Sequence, residues 1–407
     1  MDIEIRAATD EEWPQFARAV ERAFGDHPSP ESLDAWRMVH EPPRSLAAFD
    51  GAEIVGTAGA FTMSLTVPGG ELPMAGVTAV GVAATHRRRG ILTTMMRRQL
   101  DDVREMGEPL AGLWASEGPI YQRFGYGLAA FACSIKVDRN RTQFLRPAEQ
   151  SGRLRLVEKD EALKVLPGLY ERVRTGQPGM LGRTQTWWEH LLIDLKDWRD
   201  GASALFFVLH ETPEGPDGYA QYRVKHHPWS ESGGVTVLRV RELMAANPTS
   251  YAALWRYCFD VDLIGRIDAW PRPIDEPLLY MLADPRRLNF ELGDGLWLRL
   301  VDVPGSLAQR TYAKAGTLVL EVRDTFCPWN EGRYVLEGGP DGATCSSTDR
   351  EPDLVVNAAD LGATFLGGGS FPVLQRAGRV VEATPGAMHR ADRMFAWDPK
   401  PWCPQVF

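Results

Sequence analysis

The sequence predicts an α/β protein with several domains, and three observations support this. Residues 91–106 place apolar side chains on one helical face, whereas the short apolar runs at residues 54–61 and 109–115 are typical of strands. Helix and strand signals alternate along the chain, as they do where helices cover the faces of a sheet. The 407 residues also exceed what one hydrophobic core usually holds, since a domain averages about 150 residues.

The composition is that of an ordinary globular protein. Hydrophobic residues make up 44% of the chain and charged residues 24%, which predicts a compact fold rather than a disordered chain. The formal net charge of -9 argues against a nucleic-acid partner, because nucleic-acid-binding proteins normally carry a basic surface. An acidic surface attracts cations such as amines, although many cytosolic proteins are this acidic only to stay soluble.

The start of the sequence and its cysteines indicate the cellular compartment. Acidic residues interrupt the first six positions and no apolar segment follows them, so no signal peptide is expected. No stretch reaches the roughly 18 consecutive apolar residues of a spanning helix, so we expect a cytoplasmic protein without a membrane partner. The five scattered cysteines show no Cys-x-x-Cys spacing, and we expect reduced thiols, no disulfide framework and no metal site.

Changes of pattern divide the sequence into three parts. A polar stretch rich in Arg and Gln at residues 139–153 predicts a linker. Proline-rich punctuation near residue 284 precedes a new pattern of strands and helices from about residue 295. We therefore expect domains at residues 1–145, 146–290 and 291–407.

A basic loop between a strand and a helix predicts a phosphate-binding site. Small and β-branched residues at 80–82 predict the strand, and three consecutive arginines precede Gly90 and the helix. Backbone N–H groups at a helix N-terminus are unpaired and lie at the positive end of the helix dipole, so they stabilise a pyrophosphate. Gly90 lets the backbone approach the anion, and the arginines add charge-assisted hydrogen bonds. Outside this context, three arginines would indicate only a solvated turn.

A second segment, at residues 115–126, places two tyrosines after the next predicted strand. A phenol is neutral at physiological pH and can protonate a leaving thiolate, so Tyr121 and Tyr126 are both candidate acids. The alternative for each is an ordinary aromatic residue of the core.

Together these segments resemble the GCN5-related N-acetyltransferase (GNAT) family, whose members join an Arg/Gln-x-x-Gly-x-Gly/Ala loop to a later Tyr-x-x-x-Gly-Phe/Tyr element. The resemblance implies acetyl-CoA as cosubstrate, Tyr121 as the acid that protonates its sulfur, and Tyr126 as a packing residue. Leu92 departs from the small residue that usually ends the loop motif. The implied contacts with acetyl-CoA are Val80, Gly81, Val82, Arg87, Arg88, Arg89, Gly90, Ile91, Leu92, Thr93, Ser116 and Glu117.

Four segments narrow the resemblance to the Eis (enhanced intracellular survival) family of actinobacterial acetyltransferases: residues 85–92, 115–118, 123–126 and 296–304. This family implies two tandem GNAT-like mixed-sheet domains followed by a sterol-carrier-protein-like α/β domain. Residues 154–284 contain no equivalent of the cofactor loop, so the second domain should bind no acetyl-CoA. The family also implies a homohexamer that acetylates small-molecule amines, including aminoglycosides, and thereby confers antibiotic resistance.

The resemblance to Eis proteins also implies a general base and an amine pocket. In this family the α-carboxylate of a final Phe is the base, and this sequence ends in Phe407, whose carboxylate is ionised at neutral pH. The alternative is a tail that is only packed or frayed. Asp26, Trp36 and Trp114 are expected to contact the amine, since a carboxylate and an indole face both stabilise an ammonium group. For Asp26 the alternative is an ordinary turn acid.

One residue limits the substrate prediction. The position before the final Phe is acidic in some aminoglycoside-acetylating relatives, whereas this chain has Val406, so its substrate should carry less charge. Two other functions stay open. One is a non-catalytic scaffold that binds CoA or a lipid, and the other is an acetyltransferase that acts on protein lysine.

Overall fold

The computed structural model describes residues 3–147, 152–227 and 234–407, which form two compact units. Unit 1 consists of Met1–Ala130, Asp294–Pro401 and Val406–Phe407, and unit 2 of Phe131–Gly293 and Trp402–Gln405. Among the described residues, no helix has both the length and the apolar character that spanning a bilayer requires.

The elements are numbered along the chain. The strands are β1 (Glu4–Ala7), β2 (Ser45–Asp50), β3 (Glu53–Val67), β4 (Gly70–Val82), β5 (Leu110–Trp114), β6 (Gly127–Leu128), β7 (Phe131–Asp138), β8 (Arg153–Val157), β9 (Phe206–Thr212), β10 (Gly215–Lys225), β11 (Val237–Ala245), β12 (Arg266–Arg272), β13 (Glu291–Asp294), β14 (Leu296–Leu300), β15 (Gly316–Arg323), β16 (Gly332–Gly339), β17 (Gly342–Ser347), β18 (Leu354–Asn357) and β19 (Val381–Glu382). The helices are α1 (Trp13–Phe24), α2 (Pro30–Arg37), α3 (Ile91–Glu105), α4 (Gly118–Gln122), α5 (Lys159–Arg174), α6 (Gln185–Leu191), α7 (Pro248–Asp260), α8 (Leu278–Met281), α9 (Val303–Ala308), α10 (Ala358–Phe365), α11 (Phe371–Arg376) and α12 (Ala387–Phe395).

The first sheet of unit 1 has the order β1-β2-β3-β4-β5-β14-β6, and within it β4 and β5 run parallel. Helices cover both faces of this sheet. Successive residues of a strand point to opposite sides, so neighbouring residues of β2 contact different helices. Ala47 and Phe49 of β2 pack with α1, whereas Leu46 and Ala48 pack with Ile91 of α3. The apolar face predicted for residues 91–106 is confirmed on α3, except that Met106 lies beyond the helix and is exposed.

The second sheet of unit 1 has the order β17-β16-β15-β18-β19 and lies entirely within the C-terminal third of the sequence. Its strands and the helices after them enclose a core in which Leu318, Leu320, Phe365, Phe371 and Phe395 are fully buried. This part of unit 1 is the α/β domain expected at the end of the chain.

Unit 2 is built on a seven-stranded sheet of described residues in the order β13-β7-β12-β11-β10-β9-β8. Helix α7 buries Leu254, Trp255 and Phe259 in a core with Ile267 of β12. Leu166 of α5 packs in a second core of the same unit. Unit 2 is therefore a mixed α/β sandwich of its own.

Strand pairing crosses both expected domain limits. Residues 131–138, expected in the first domain, form β7, which pairs with β12 in the sheet of unit 2. Residues 296–300, expected in the third domain, form β14, which pairs with β5 and β6 in the first sheet of unit 1. The sequence gives no sign of these pairings, because the residue pattern of a strand is the same whichever sheet the strand joins. Residues 148–151 of the predicted linker lie outside the described residues.

Candidate active site

The parallel strands β4 and β5 separate after a short stretch of pairing. Their register covers three pairs, Met74 with Leu110, Ala75 with Ala111 and Gly76 with Gly112. Beyond Gly76, within the described residues, β4 keeps β3 as its partner but no longer pairs with β5. The backbone groups of β4 that face the gap are therefore available to a ligand.

A β-bulge accompanies this separation. The register of β3 and β4 shifts between Thr57 and Gly59, opposite Ala79, whose φ of 51° lies in the left-handed region. The buried Thr57 hydroxyl donates to the Ala79 carbonyl over 2.7 Å and holds the bulge in place. A bulge bends its strand, and this one lies just beyond Gly76, where the pairing of β4 with β5 ends.

The basic loop after β4 leads into α3 through two residues with positive φ. Arg88 has φ of 62° and Gly90, the N-cap of α3, has φ of 82°. Within the described part of the chain no side chain caps this helix, and its first turn contains no acidic residue. The N–H groups of the first turn therefore remain available to an anion.

A cavity of about 680 Å³ lies between the free edge of β4, this loop and α4. It brings together most of the residues predicted to bind acetyl-CoA, together with Tyr121. Arg89 is the exception, since its exposed side chain is absent from the lining although its neighbour Arg88 is present. The predicted residues that line the cavity are Val80, Gly81, Val82, Arg87, Arg88, Gly90, Ile91, Leu92, Thr93, Ser116, Glu117 and Tyr121.

Five further residues line the cavity that the sequence did not identify: Ala23, Phe24, His86, Ile120 and Arg123. Ala23 and Phe24 come from the end of α1, which packs so closely on β4 that a Cβ on Gly81 would lie 2.5 Å from the Ala23 Cβ. The His86 Nε2 lies 3.1 Å from the Asp50 carboxylate. An interior glycine in a strand was the available signal for the approach of α1.

Tyr121 lies on α4 with only 5% of its surface exposed. Burial raises the pKa of Tyr121 above its ordinary value, and a hydrogen bond with Ser116 acts in the opposite direction. The phenol is therefore protonated at neutral pH. Tyr126 meets it edge-on, with 6.1 Å between ring centroids, but is fully buried in the core, as expected for a packing residue.

Phe407 packs against the opposite face of β4. Its ring carbon Cε2 lies 3.2 Å from the position that a Cβ on Gly76 would occupy. Ala75 and Val77, the neighbours of Gly76, face the core that contains Tyr121. Because side chains alternate along a strand, Tyr121 and Phe407 lie on opposite faces of β4, at the point where β4 and β5 part.

Comparison with known proteins decides the family. Models of the Acetyltransferase (GNAT) domain match residues 4–129 and 179–300, and a Sterol carrier protein domain model matches residues 303–404. An N-acetyltransferase of Streptomyces avermitilis is 43% identical over 100% of both chains. N-acetyltransferase Eis of Mycobacterium tuberculosis is 36% identical, over 98% of each chain. The crystal structure of Eis1 from Mycobacterium abscessus matches with a TM-score of 0.86 and 36% identity, covering 99% of this chain and 100% of that one.

This chain belongs to the Eis family of N-acetyltransferases. The comparisons confirm the predicted fold class of two GNAT domains followed by a sterol-carrier-like domain. They also confirm an acetyl-CoA-dependent acetyltransferase, as the sequence predicts. A GCN5-related N-acetyltransferase from Anabaena variabilis, 20% identical with a TM-score of 0.87 over 100% of both chains, shows the same fold.

The cavity of this Eis-family enzyme has the chemistry that acetyl-CoA requires. The unpaired edge of β4 offers N–H and C=O groups to an extended amide chain such as pantetheine, in the manner of an added strand. The first turn of α3 and the exposed guanidinium groups of Arg87 and Arg88 suit a pyrophosphate. Among the described residues that line the cavity, Glu117 supplies the one carboxylate, so this lining is predominantly basic.

The three residues predicted to bind the amine do not line this cavity. Asp26 is exposed after α1, and its carboxylate accepts a hydrogen bond of 2.8 Å from the His27 N–H. Trp36 of α2 is half-buried and packs edge-on against Trp13, with 4.7 Å between ring centroids. Trp114 ends β5 and follows Gly112 by two residues, so it lies on the Phe407 face of the sheet.

Burial, with a contribution from Arg37, lowers the pKa of His40 to about 4, so this neighbour of Trp36 is neutral at physiological pH. Across the described ranges, no group of three or more His, Cys, Asp or Glu side chains is arranged to hold a metal ion.

Proposed function

We propose that this enzyme transfers the acetyl group of acetyl-CoA to a primary amine by direct attack, with Tyr121 as acid and the Phe407 carboxylate as base. The observation that carries the proposal is the placement of Tyr121 and Phe407 on opposite faces of β4, beside Ala75 and Gly76. A displacement at a thioester needs proton transfer on two sides, because the nucleophile loses a proton and the leaving sulfur gains one.

The proton transfers follow from this arrangement. The Phe407 carboxylate takes one proton from the ammonium group, directly or through water, and passes it to solvent. The amine lone pair then forms the C–N bond while the C–S bond breaks, and the sulfur takes the phenolic proton of Tyr121. The nitrogen of the product then loses its second proton, which reaches the Tyr121 phenolate through water and restores the phenol. The products are the acetylated amine, CoA and one released proton.

The acceptor is proposed to be an aminoglycoside-like amine or another small amine. Asp26 and Trp36 supply a carboxylate and an indole face of the kind that stabilises ammonium groups. Val406 is 47% exposed and places no charge next to the proposed base, whereas some relatives have an acidic residue at this position. We therefore expect amines with one or two charges to be better substrates than polycationic sugars.

The experiment that tests this proposal is CoA release from acetyl-CoA with a panel of amines of rising charge. Tyr121→Phe should lower kcat about 100-fold, the usual scale for loss of an acid or base. Tyr126→Phe is the matched control, since it removes a neighbouring phenol that faces only the core. Tyr121→Phe with the turnover of the unchanged enzyme would contradict the assignment of the acid.

The base needs its own variant. Appending Gly-Ser-Gly after Phe407 moves the carboxylate but leaves the ring, and should lower kcat by a similar factor while the KM for acetyl-CoA stays constant. Unchanged turnover would rule out the terminal carboxylate as base. Asp26→Asn should raise the KM for the amine alone, with Asp34→Asn on the exposed side of α2 as its control.

Oligomeric state, metal requirement and location can each be tested directly. If the enzyme is a homohexamer, its sedimentation coefficient in analytical ultracentrifugation should correspond to six chains of 45.3 kDa. Activity without a metal predicts full turnover after dialysis against EDTA. Cytoplasmic location predicts recovery of the enzyme in the soluble fraction of lysed cells.

A further inference from the structure

Gly76 has no conformational reason to be glycine. It lies inside β4 with ordinary extended backbone and is not among the residues with positive φ. Glycine inside a strand weakens it, because it loses more backbone entropy than other residues and has no side chain to pack. A strand glycine often marks a bulge, a tight bend or the close approach of another group, and the register of β3 and β4 shows no bulge at Gly76.

Two groups occupy the space that a side chain at Gly76 would fill. A Cβ there would lie 2.6 Å from the Met63 sulfur and 3.2 Å from Cε2 of the Phe407 ring. Gly112, the parallel partner of Gly76 on β5, differs in one respect. A Cβ on Gly112 would meet Met74 at 2.6 Å and Leu296 at 3.4 Å, with no contact to Phe407 among its nearest neighbours.

We propose that Gly76 is a positioning residue for the general base. Because Gly76 has no side chain, the Phe407 ring can pack directly against β4 at this residue, and this packing site is called the seat. This inference rests on the proposed function, in which the Phe407 carboxylate takes the proton of the amine. The ring and the carboxylate are joined through one Cα, and side-chain torsions occupy a few staggered wells. A ring fixed against Gly76 therefore restricts the carboxylate to a few positions at the end of the β4 and β5 pairing.

The position of Gly76 makes this seat matter for catalysis. It is the last β4 residue that pairs with β5, so the ring rests where the gap between the two strands begins. A displacement of about 1 Å at a reacting group can lower a rate about 100-fold. A methyl group at residue 76 is large enough to displace the ring by a fraction of that distance.

The central experiment pairs a larger residue 76 with a smaller residue 407. Gly76→Ala should lower kcat about ten-fold and leave the KM for acetyl-CoA within a factor of two. Phe407→Leu keeps the carboxylate, and in the Gly76→Ala background it should restore kcat at least three-fold, although alone it should lower kcat. The matched control is Gly112→Ala, whose loss of activity or stability should not be restored by Phe407→Leu.

Met63 provides the competing explanation, because its sulfur lies closest to the added methyl group. If displacement of Met63 is the whole effect, Met63→Ala restores Gly76→Ala and Phe407→Leu does not, and the proposal is wrong. Restoration by Phe407→Leu supports it. If Gly76→Ala does not fold, Phe407→Ala with Gly76 unchanged provides the test. A kcat equal to that of the wild type in this variant, which has no ring, would also refute the proposal.

The seat and the base can fail separately. If residues appended after Phe407 leave turnover unchanged, the base assignment fails, and the coupling is then measured on thermal unfolding. Non-additive changes in Tm for Gly76→Ala and Phe407→Leu show that the ring occupies the seat. Additive changes in both Tm and kcat overturn the proposal.

Discussion

Arg299 and Asp324 form a buried ion pair within unit 1, with 2.5 Å between Nη2 and Oδ2 and side chains that are 0% and 2% exposed. Arg299 lies on β14, and its Nη1 donates to the carbonyl of Phe124, just after the helix that carries Tyr121. Asp324 follows β15 of the C-terminal part and also accepts a hydrogen bond from the Cys327 N–H over 2.9 Å. Through Arg299, the sterol-carrier-like part is thus linked by hydrogen bonds to the turn that follows the helix of the proposed acid, Tyr121.

Removal of one partner from this ion pair should destabilise unit 1. Asp324→Asn leaves the Arg299 charge buried with a weaker partner, and breaking such a pair costs about 3 to 5 kcal/mol. The free energy of unfolding in urea measures the loss. Arg323→Ala is the control, because its side chain is 62% exposed and its ion pair with Glu321 should contribute under about 1 kcal/mol. Equal effects of the two variants would show that burial of the pair is unimportant.

Alkaline pH should destabilise the fold through its buried phenols. Burial raises the pKa of Tyr121 and of Tyr126 above the ordinary value. The folded state therefore keeps protons that the unfolded chain releases above about pH 10, so their stabilisation is complete below that pH and falls as pH rises. Tyr126→Phe should flatten the fall by up to about 1.4 kcal/mol per pH unit. Tyr280→Phe, at a phenol that is 84% exposed, should leave the slope unchanged.

The two adjacent arginines of the basic loop should differ in their effect on cosubstrate binding. Arg88 lines the cavity and Arg89 does not. Arg88→Ala should raise the Kd for acetyl-CoA about ten-fold, the scale of one charge-assisted hydrogen bond of about 1.4 kcal/mol. Arg89→Ala should change it by less than three-fold. Calorimetric titration distinguishes them, and a larger loss for Arg89→Ala would contradict the geometry of the loop.

The bulge in β4 should depend on Thr57. Thr57→Val removes the donor to the Ala79 carbonyl, which should cost about 1 to 2 kcal/mol of stability and raise the KM for acetyl-CoA. Thr364→Val is the control, because it removes a buried hydroxyl that bonds the Asp360 carbonyl over 3.1 Å within α10. If both variants lose stability but neither changes the KM, the bulge does not set the width of the gap.

The sequence identified the parts of the site that are encoded locally. The loop from Arg87 to Gly90 and the tyrosine of α4 each lie within a few residues of the element that positions them. Their motifs therefore predict both the structure and the chemistry. The sequence could not tell which of two neighbouring arginines faces the cavity, because that depends on the positive φ of Arg88.

Contacts between distant parts of the chain were not predictable. Phe24 reaches the cavity because α1 packs on Gly81, and Arg299 meets Phe124 across a sequence separation of 175 residues. A buried arginine in a strand gives no sign of its partner. Gln99 of α3 is buried on an otherwise apolar face because its side chain donates to the Gly59 carbonyl over 2.9 Å.

The place of β14 in the first sheet also governs when that sheet can form during synthesis. β5 lies between β4 and β14, and its pairing with β4 covers only three residues. The ribosome adds roughly 5 to 20 residues per second, so β5 waits some seconds to tens of seconds for residues 296–300 to emerge. During that interval a short apolar edge is open to wrong partners. The first sheet is therefore completed only after residues 296–300 have been synthesised, because β14 joins β5 to β6.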